Sequence, residues 1–305
     1  MTDRLALGID IGGTSCSLAL MDEAGRLRKT FDIPTRAHEG GEALIARLIE
    51  AAGRVLAEGA GVLGIGIGSA GQIDFATGTC RYATEALPGW TGMPIADRFR
   101  AAFGLPVWVE NDANAAALAE HRYGAGRGLS DLICLTLGTG IGGGAIAGGR
   151  LVRGAHGAGG ELGHIPVEPG GAPCACGSSG CLEAYASATG ILRMARESGV
   201  EAGSAREVYA LAAWGDAAAL AVTERAARYL AQGIVAMVAA FDPQAVLIGG
   251  GVSQAGDLLF APLRRHLEAN PFVRGRCAVR PAALGPAAGV IGAAAQVFLY
   301  HNRED

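Results

Sequence analysis

One histidine and three cysteines lie close together in the second half of this 305-residue chain. Cys174, Cys176 and Cys181 fall within eight residues, and His164 precedes Cys174 by ten. One imidazole nitrogen and three thiolates make a complete tetrahedral set for Zn²⁺, with no position left open for a substrate. We therefore predict a structural zinc site. The alternative is a group of buried or redox-active cysteines.

Two glutamates flank these ligands. Glu161 lies three residues before His164, and Glu183 lies two residues after Cys181. A metal ion would draw both carboxylates toward one place. Since imidazole has two distinct nitrogens, one can bind zinc while the other faces a polar ligand. Polar groups with few cations suit a neutral polyhydroxyl substrate such as a sugar, and the alternative is a pair of solvated surface carboxylates.

A second acidic site follows the short apolar strand 107–109. Asn111 and Asp112 come directly before an alanine-rich helical pattern. Open α/β sheets bind ligands at the carboxyl ends of their strands. Asp112 is therefore a candidate general base for a hydroxyl nucleophile, with Asn111 orienting the substrate. The competing interpretation is that Asp112 caps the helix.

Glycine makes up 49 of the 305 residues, and many of these glycines form turns after apolar strands. Residues 10–14 read Asp-Ile-Gly-Gly-Thr, and residues 136–140 read Thr-Leu-Gly-Thr-Gly. Backbone N–H groups in such turns can approach phosphate oxygens, and Asp10 can hold Mg²⁺. Gly249–Gly251 offers a third surface of this kind. Neither a Walker A motif nor a dinucleotide-binding fingerprint is present, and each turn taken singly is also compatible with an ordinary hairpin.

The elements that must position these residues form a weak internal repeat. Residues 5–28 and 131–153 share an apolar strand, a glycine turn, a second strand and a second glycine turn. The repeat predicts two related α/β domains, each opened by a β-hairpin. We assign residues 1–115 to an N-terminal domain, joined by a C-terminal helix at about 288–305, and residues 116–287 to a C-terminal domain that carries the zinc loop.

Composition excludes several classes of protein. The net charge of -4 leaves no basic surplus for a nucleic-acid backbone. The two long stretches without charged residues, 132–149 and 281–300, are interrupted by glycine or proline, so we expect no membrane span. The start of the chain lacks the features of a signal peptide, and seven unevenly spaced cysteines favour reduced thiols. We therefore expect a cytoplasmic protein.

Taken together, these motifs resemble the ROK family (repressors, open reading frames and kinases). The resemblance covers most of the chain and rests on the following segments: Asp10–Thr14, Glu110–Ala117, Gly138–Gly144, Gly160–His164, Cys174–Glu183 and Gly249–Gly251. It implies a two-domain, actin-like or ribonuclease-H-like ATPase fold of the hexokinase type, with a zinc-binding loop. The active site is expected in the cleft between the domains.

The family's function would then be ATP-dependent transfer of a phosphoryl group to a hexose. The expected reaction is glucose to glucose 6-phosphate, with ATP and Mg²⁺ as cofactors and a structural Zn²⁺. The resemblance assigns Asp112 as catalytic base. It assigns the following sugar contacts: Asn111, Glu161, His164 and Glu183. It assigns the following nucleotide contacts: Asp10, Gly12, Gly13, Thr14, Gly138, Thr139, Gly140, Gly250 and Gly251. It assigns the following zinc ligands: His164, Cys174, Cys176 and Cys181. A homodimer or homotetramer is expected, with no nucleic-acid or membrane partner.

At two positions the sequence departs from the family's usual pattern, and these departures leave the identity of the sugar open. Ser15 stands where family members often have Lys, and Ala86 stands where many have Asn, in a loop expected near the sugar. Kinases of the same family for N-acetylmannosamine, N-acetylglucosamine, fructose or allose therefore stay open as functions. Two functions of a different class also stay open, namely a catalytically silent sugar-binding protein and the core of a sugar-responsive repressor. The repressor is disfavoured because the first strand begins at about Leu5 and because Asp112 is intact.

Overall fold

The computed structural model describes residues 4–301. Residues 1–3 and 302–305, including the end of the predicted C-terminal helix, lie outside the described residues. The strands are β1 Leu5–Ile11, β2 Ser15–Asp22, β3 Leu27–Pro34, β4 Val62–Ser69, β5 Gln72–Asp74, β6 Thr79–Tyr82, β7 Val107–Asn111, β8 Leu132–Leu137, β9 Ile141–Ala147, β10 Arg150–Leu151, β11 Ala245–Gly249 and β12 Ala278–Pro281. The α-helices are α1 Gly41–Leu56, α2 Ile95–Phe103, α3 Asp112–Tyr123, α4 Glu183–Ala186, α5 Ala188–Glu197, α6 Ala205–Ala213, α7 Ala217–Phe241, α8 Asp257–Ala269 and α9 Ala288–Tyr300.

The two large sheets have the same arrangement of strands. The first has the order β3-β2-β1-β4-β7 and the second has the order β10-β9-β8-β11-β12. In each sheet the opening strand, β1 or β8, pairs antiparallel with the strand that follows it across the glycine turn. The same opening strand pairs parallel with a later strand, β4 or β11. This shared order is the structural counterpart of the sequence repeat.

The chain divides into two compact units. The first unit contains the chain up to Arg127, Leu151–Gly159 and the chain from Pro286 onward. The second contains Gly128–Arg150 and Gly160–Gly285. The boundary placed at 115–116 from the sequence falls inside α3, whereas the units divide between residues 127 and 128. Because α3 packs against α9 and β4, the whole helix belongs with the first sheet.

Within the first unit, β1 and β4 present different residues to the two faces of the sheet. Leu7, Ile9, Ile65 and Ile67 are buried on one face, in the apolar cluster that also contains residues of α1 and α2. Alternation of side chains along a strand places the residues between them on the opposite face, where α9 packs against both strands.

Glycines on that opposite face permit close helix packing. A side-chain carbon on Gly66 would collide with the backbone carbonyl of Ala293 in α9, and one on Gly8 would collide with that of Val290. On the other side of α9, Gly292 lies against the Ala115 carbonyl of α3 in the same way. Gly8 in β1 and Gly66 in β4 are therefore required for the close packing of α9 on the sheet.

Among residues 4–301, no helix is both long enough and apolar enough to cross a bilayer.

Candidate functional site

The parallel strands of the first sheet end at one edge. Their register pairs Asp10 with Gly68, and Gly68 in turn with Glu110. One residue further on, Ser69 of β4 pairs with Asn111 of β7. The carboxyl end of a parallel strand is where an open α/β sheet can present side chains to a ligand. Asp10 and the residues around Asn111 are thus brought to one edge, although they are far apart in the sequence.

Asn111 caps α3. Its Oδ1 accepts hydrogen bonds from the backbone N–H groups of Ala113 (3.0 Å) and Asn114 (3.1 Å), and its Nδ2 donates to the Gly71 carbonyl at 3.0 Å. Asp112 is the first residue of the helix, and its Oδ1 accepts from Ala113 N at 2.8 Å. The N-cap role considered for Asp112 is therefore filled mainly by Asn111.

Asp10 and Asp112 are two half-buried carboxyl groups at this edge. Burial, together with the negative charge of Asp112, raises the pKa of Asp10 to about 7. Burial also raises the pKa of Asp112, against the opposing effect of the Ala113 backbone N–H. A carboxylate with raised pKa is a better proton acceptor than an ordinary surface aspartate. A nearby cation would favour the ionised form of both groups.

The first glycine turn is supported from behind by Thr35. The Thr35 hydroxyl donates to the Gly12 carbonyl at 2.6 Å, and its backbone N–H donates to the Thr14 carbonyl at 2.9 Å. Thr35 is fully buried, whereas Gly13 and Thr14 are exposed. The tip of the turn is therefore held in place while its backbone stays accessible to a ligand.

A loop after β6 is anchored at the same edge. The buried Trp90 donates from its indole Nε1 to Ser69 Oγ at 2.9 Å. Ala86, in this loop, is exposed. Whatever polar contact an asparagine would supply at that position is missing from this chain.

In the second unit, two glycine segments lie together at the edge of the second sheet. Gly138 N donates to Gly140 O at 2.9 Å across the β8–β9 turn, and Thr139 at its tip is exposed. Gly249 of β11 pairs with Thr136 of β8. A side-chain carbon on Gly250, which has a φ of 83°, would collide with the backbone of Leu137. The exposed Gly251 begins a 3₁₀ turn that ends at Ala255.

A cavity of about 510 Å³ opens beside the β8–β9 turn. It is lined by Thr139, by residues along α5 and by Ser204 and Ala205 at the start of α6. Thr139, one of the nucleotide contacts predicted for the second unit, thus borders a space of the size that ligand pockets commonly have.

Glu183 joins the β8–β9 turn to the cysteine loop. Its Oε2 accepts from Ile141 N at 2.8 Å, and its Oε1 lies 3.7 Å from Cys174 Sγ. A side-chain carbon on Gly140 would collide with this carboxylate. Glu183 therefore already has structural partners within the unit, in addition to its predicted role in sugar binding.

The four predicted zinc ligands are brought together. Their ligand atoms all lie within 4.8 Å of one another. Cys176 Sγ is 3.7 Å from Cys181 Sγ, and His164 Nδ1 is 3.5 Å from Cys174 Sγ. Bonds of roughly 2.3 Å to sulfur and 2.0 Å to nitrogen in a tetrahedron put neighbouring ligand atoms about 3.5–3.8 Å apart. The donor set and its spacing fit Zn²⁺.

The other nitrogen of His164 faces away from the cysteines. Nε2 is 3.9 Å from Glu161 Oε2, and Glu161 is exposed. A metal on Nδ1 would fix the orientation of the ring and leave Nε2 as a polar group for a ligand. This is the division of roles that the sequence predicts for the two nitrogens.

Three residues that bear on the site were not singled out from the sequence. Thr35 holds the first glycine turn, and Glu110 forms an ion pair with Arg153 beneath Asn111. Glu110 lies inside one of the family motifs, but nothing in the neighbouring sequence signals its burial. Thr35 and Arg153 are distant in sequence from the groups they contact.

Comparison with known proteins places the whole chain in one group. The family model described as "ROK family" matches residues 6–298. A glucokinase of Halalkalibacterium halodurans is 40% identical over 313 residues, which cover 96% of this chain and 94% of that protein. An N-acetylmannosamine kinase of Citrobacter koseri is 34% identical over 291 residues, covering 94% and 97%.

Comparison with solved structures agrees with this family assignment. The crystal structure of a ROK family glucokinase from Streptomyces griseus, in complex with glucose and AMPPNP, has a TM-score of 0.81 and 38% identity. The match covers 95% of this chain and 98% of the Streptomyces griseus chain. The fold class predicted from the sequence is confirmed.

Proposed function

Because the chain belongs to the ROK family, we propose that it is an ATP-dependent hexose kinase that converts glucose to glucose 6-phosphate. The observation that carries this proposal is the position of Asp112. Asp112 is the first residue of α3, at the sheet edge where β1 and β4 also end, and burial raises the pKa of its carboxyl group. Glucose is preferred as the sugar because the relatives at about 40% identity are named glucokinases.

In the proposed reaction, a sugar hydroxyl oxygen attacks the γ-phosphorus of ATP. The bond from that phosphorus to the bridging oxygen breaks, ADP leaves, and Asp112 accepts the hydroxyl proton. Asn111 orients the sugar, and we assign the same role to Glu161, His164 and Glu183. Phosphoryl transfer depends mainly on positioning and charge neutralisation. The exposed backbone of Gly13 and Thr14 supports a phosphate-binding role for the first turn.

For the second unit, we assign phosphate contacts to Gly138, Thr139 and Gly140, and adenosine contacts to Gly250 and Gly251. When bound at Asp10, Mg²⁺ would supply charge neutralisation on the phosphates. Zn²⁺ held by His164 and the three cysteines would supply structural order. A cytoplasmic location and a homodimer or homotetramer remain proposals.

Turnover by the Asp112→Asn variant tests the assignment of the base. Loss of a general base typically costs about 10²–10⁴ in rate, so the variant is expected to bind sugar and to lose at least about 100-fold in kcat. Asp97→Asn, at an exposed position in α2, serves as control and should keep its activity. Near-normal kcat in Asp112→Asn would contradict the role of Asp112.

A panel of glucose, N-acetylmannosamine, N-acetylglucosamine, fructose and allose tests the substrate. ADP release is measured with each sugar, and glucose is expected to give the highest kcat/KM. A higher value for N-acetylmannosamine would favour the second candidate function, which is supported by the kinase relative at 34% identity. Release no greater than that of Asp112→Asn across the whole panel would favour a silent sugar-binding protein or a repressor core.

A further inference from the structure

A buried ion pair lies directly behind the strand–helix junction that carries Asp112. Glu110, near the end of β7, accepts a hydrogen bond at Oε2 from Arg153 Nε at 2.6 Å. The Glu110 side chain is only 3% exposed, and that of Arg153 is 23% exposed. A carboxylate this deeply buried is costly unless it is paired and hydrogen-bonded.

The second oxygen of Glu110 holds the backbone of the junction. Oε1 accepts from Asn111 N at 3.0 Å and from Asn114 Nδ2 at 3.1 Å. Asn111 in turn caps α3 by accepting hydrogen bonds from the backbone N–H groups of Ala113 and Asn114. One carboxylate therefore fixes the residues on both sides of Asp112.

Arg153 is itself held rigidly. Its guanidinium carbon lies 3.7 Å from the centre of the Phe75 ring, and its Nη2 donates to the Tyr300 hydroxyl at 2.8 Å. The Phe75 and Tyr300 rings meet edge to face at 5.1 Å. Stacking on aromatic rings and a fixed planar fork of donors are properties that lysine does not share.

The position of Arg153 in the chain is also informative. It belongs to Leu151–Gly159, a segment of the first unit that starts at the last residue of β10 and ends directly before Gly160. Gly159 N donates to Arg153 O at 2.8 Å, which closes this segment into a compact loop. The loop delivers a cation to Glu110 from 43 residues away in the sequence.

We propose that Arg153 is a positioning residue for the kinase reaction, acting through Glu110 to hold Asn111 and Asp112 in reactive geometry. The proposal rests on the proposed function of Asp112. Without the guanidinium, the buried Glu110 carboxylate loses its ion-pair partner and the hydrogen bond that orients it. A shift of this carboxylate weakens its hold on the Asn111 backbone, and a displacement of about 1 Å at a catalytic group can cost roughly 100-fold in rate.

The test is a double-mutant cycle with Arg153→Met, Glu110→Gln and the combined variant. Arg153→Met is expected to lower kcat, counted per folded molecule, by about 100-fold. Because the double variant has no unpaired buried charge, it should recover at least about tenfold of that loss. Arg153→Lys keeps the charge and should lose less activity than Arg153→Met, which provides a folded variant if the methionine protein is unstable.

The control is Arg28→Met, which disturbs an ion pair with another buried carboxylate of the same unit, Asp22. It should lower the melting temperature and leave kcat unchanged. A purely structural role for Arg153 predicts this same result for Arg153→Met. A kcat for Arg153→Met within twofold of the native value, or a double variant no better than Arg153→Met, would overturn the proposal.

A second readout does not require turnover. Hydrogen exchange at the capped N–H groups of Ala113 and Asn114 should become at least about tenfold faster in Arg153→Met and stay unchanged in Arg28→Met. Unchanged exchange in Arg153→Met would also overturn the proposal. If the native protein phosphorylates no sugar but the exchange effect is present, the proposed function fails while the positioning of the junction by Arg153 stands.

Discussion

Asp10 and Asp22 lie in the same unit, but their surroundings shift the pKa of the carboxyl group in opposite directions. Asp10 is half-buried, and its pKa is raised to about 7 by burial and by the charge of Asp112. At Asp22, burial alone would raise the pKa, but hydrogen bonds from Arg26 and Arg28 lower it below the ordinary value. Asp10 is thus in an environment that suits a bound cation, whereas Asp22 already has its cations within the chain.

The effect of Asp10 on stability is therefore expected to depend on pH. A carboxyl group whose pKa is higher in the folded state weakens folding as the pH rises from about 4 to about 7. Asp10→Asn should raise the free energy of unfolding at pH 8, by no more than about 4 kcal/mol, and should have little effect at pH 3. The measurement is urea unfolding at both pH values in the absence of Mg²⁺ and nucleotide.

Asp22→Asn is the matched control, because its pKa is lowered in the folded state. Its ionised form stabilises the protein above the unfolded-state pKa, and this contribution is lost as the pH falls. The variant should therefore be less stable than the native protein at pH 8. If Asp10→Asn and Asp22→Asn shift stability in the same direction at pH 8, the assigned environment of Asp10 is wrong.

At the scale of elements, the packing of α9 on β1 and β4 depends on residues without side chains. Gly66 in β4 faces the backbone of α9 so closely that even a methyl group has no room. Gly53, in α1, has ordinary contact distance available instead, with Phe103 Cε1 at 3.7 Å. The two glycines therefore differ in what a methyl group would meet.

Substitution by alanine should separate these two cases. Gly66→Ala is expected to destabilise the protein by about 1–3 kcal/mol or more, because an added group in a tight interior forces the backbone apart. Gly53→Ala is expected to stabilise it by about 0.5–1 kcal/mol, because alanine favours a helix interior over glycine. Thermal unfolding measures both. Equal shifts in melting temperature for the two variants would contradict the described packing of α9.

At the scale of the whole molecule, two units use one strand order, and the repeated hairpins present their glycine turns at equivalent places in each sheet. Only the second unit carries the four-ligand cluster among the residues described. Its loop, residues 165–182, lies outside the named helices and strands and is held by turn hydrogen bonds such as that from Cys174 N to Ser178 O at 2.9 Å. Order in this loop is therefore expected to depend on the metal.

Removal of zinc should affect the second unit selectively. Treatment with a chelator, or Cys176→Ser, is expected to abolish the binding of one Zn²⁺ per chain and to speed hydrogen exchange in the loop around Gly180. Exchange in β1 and β4 should change less than twofold. Cys277→Ser, at a half-buried cysteine outside the cluster, should keep its zinc. A native protein without zinc, or with unchanged loop exchange after chelation, would contradict the assignment.

The sequence by itself determined the features whose partners are close along the chain. The proposed zinc ligands fall within 18 residues, and a spacing of this kind needs only a short loop to bring them together. The repeated pattern of strand and glycine turn likewise predicted two related sheets, because hairpins form from neighbouring segments. The place of Asp112 at the end of a strand followed from the same local pattern.

Only the tertiary structure decided the contacts between distant segments. Thr35 bonds to Gly12 across 23 residues, Ile141 to Glu183 across 42, and Arg153 to Glu110 across 43. No local pattern marks such pairs, because each depends on which strands become neighbours and on how closely a helix can approach them. Gly66, one of the alternating glycines of β4, is explained only by α9, which comes from the far end of the chain and packs directly against it.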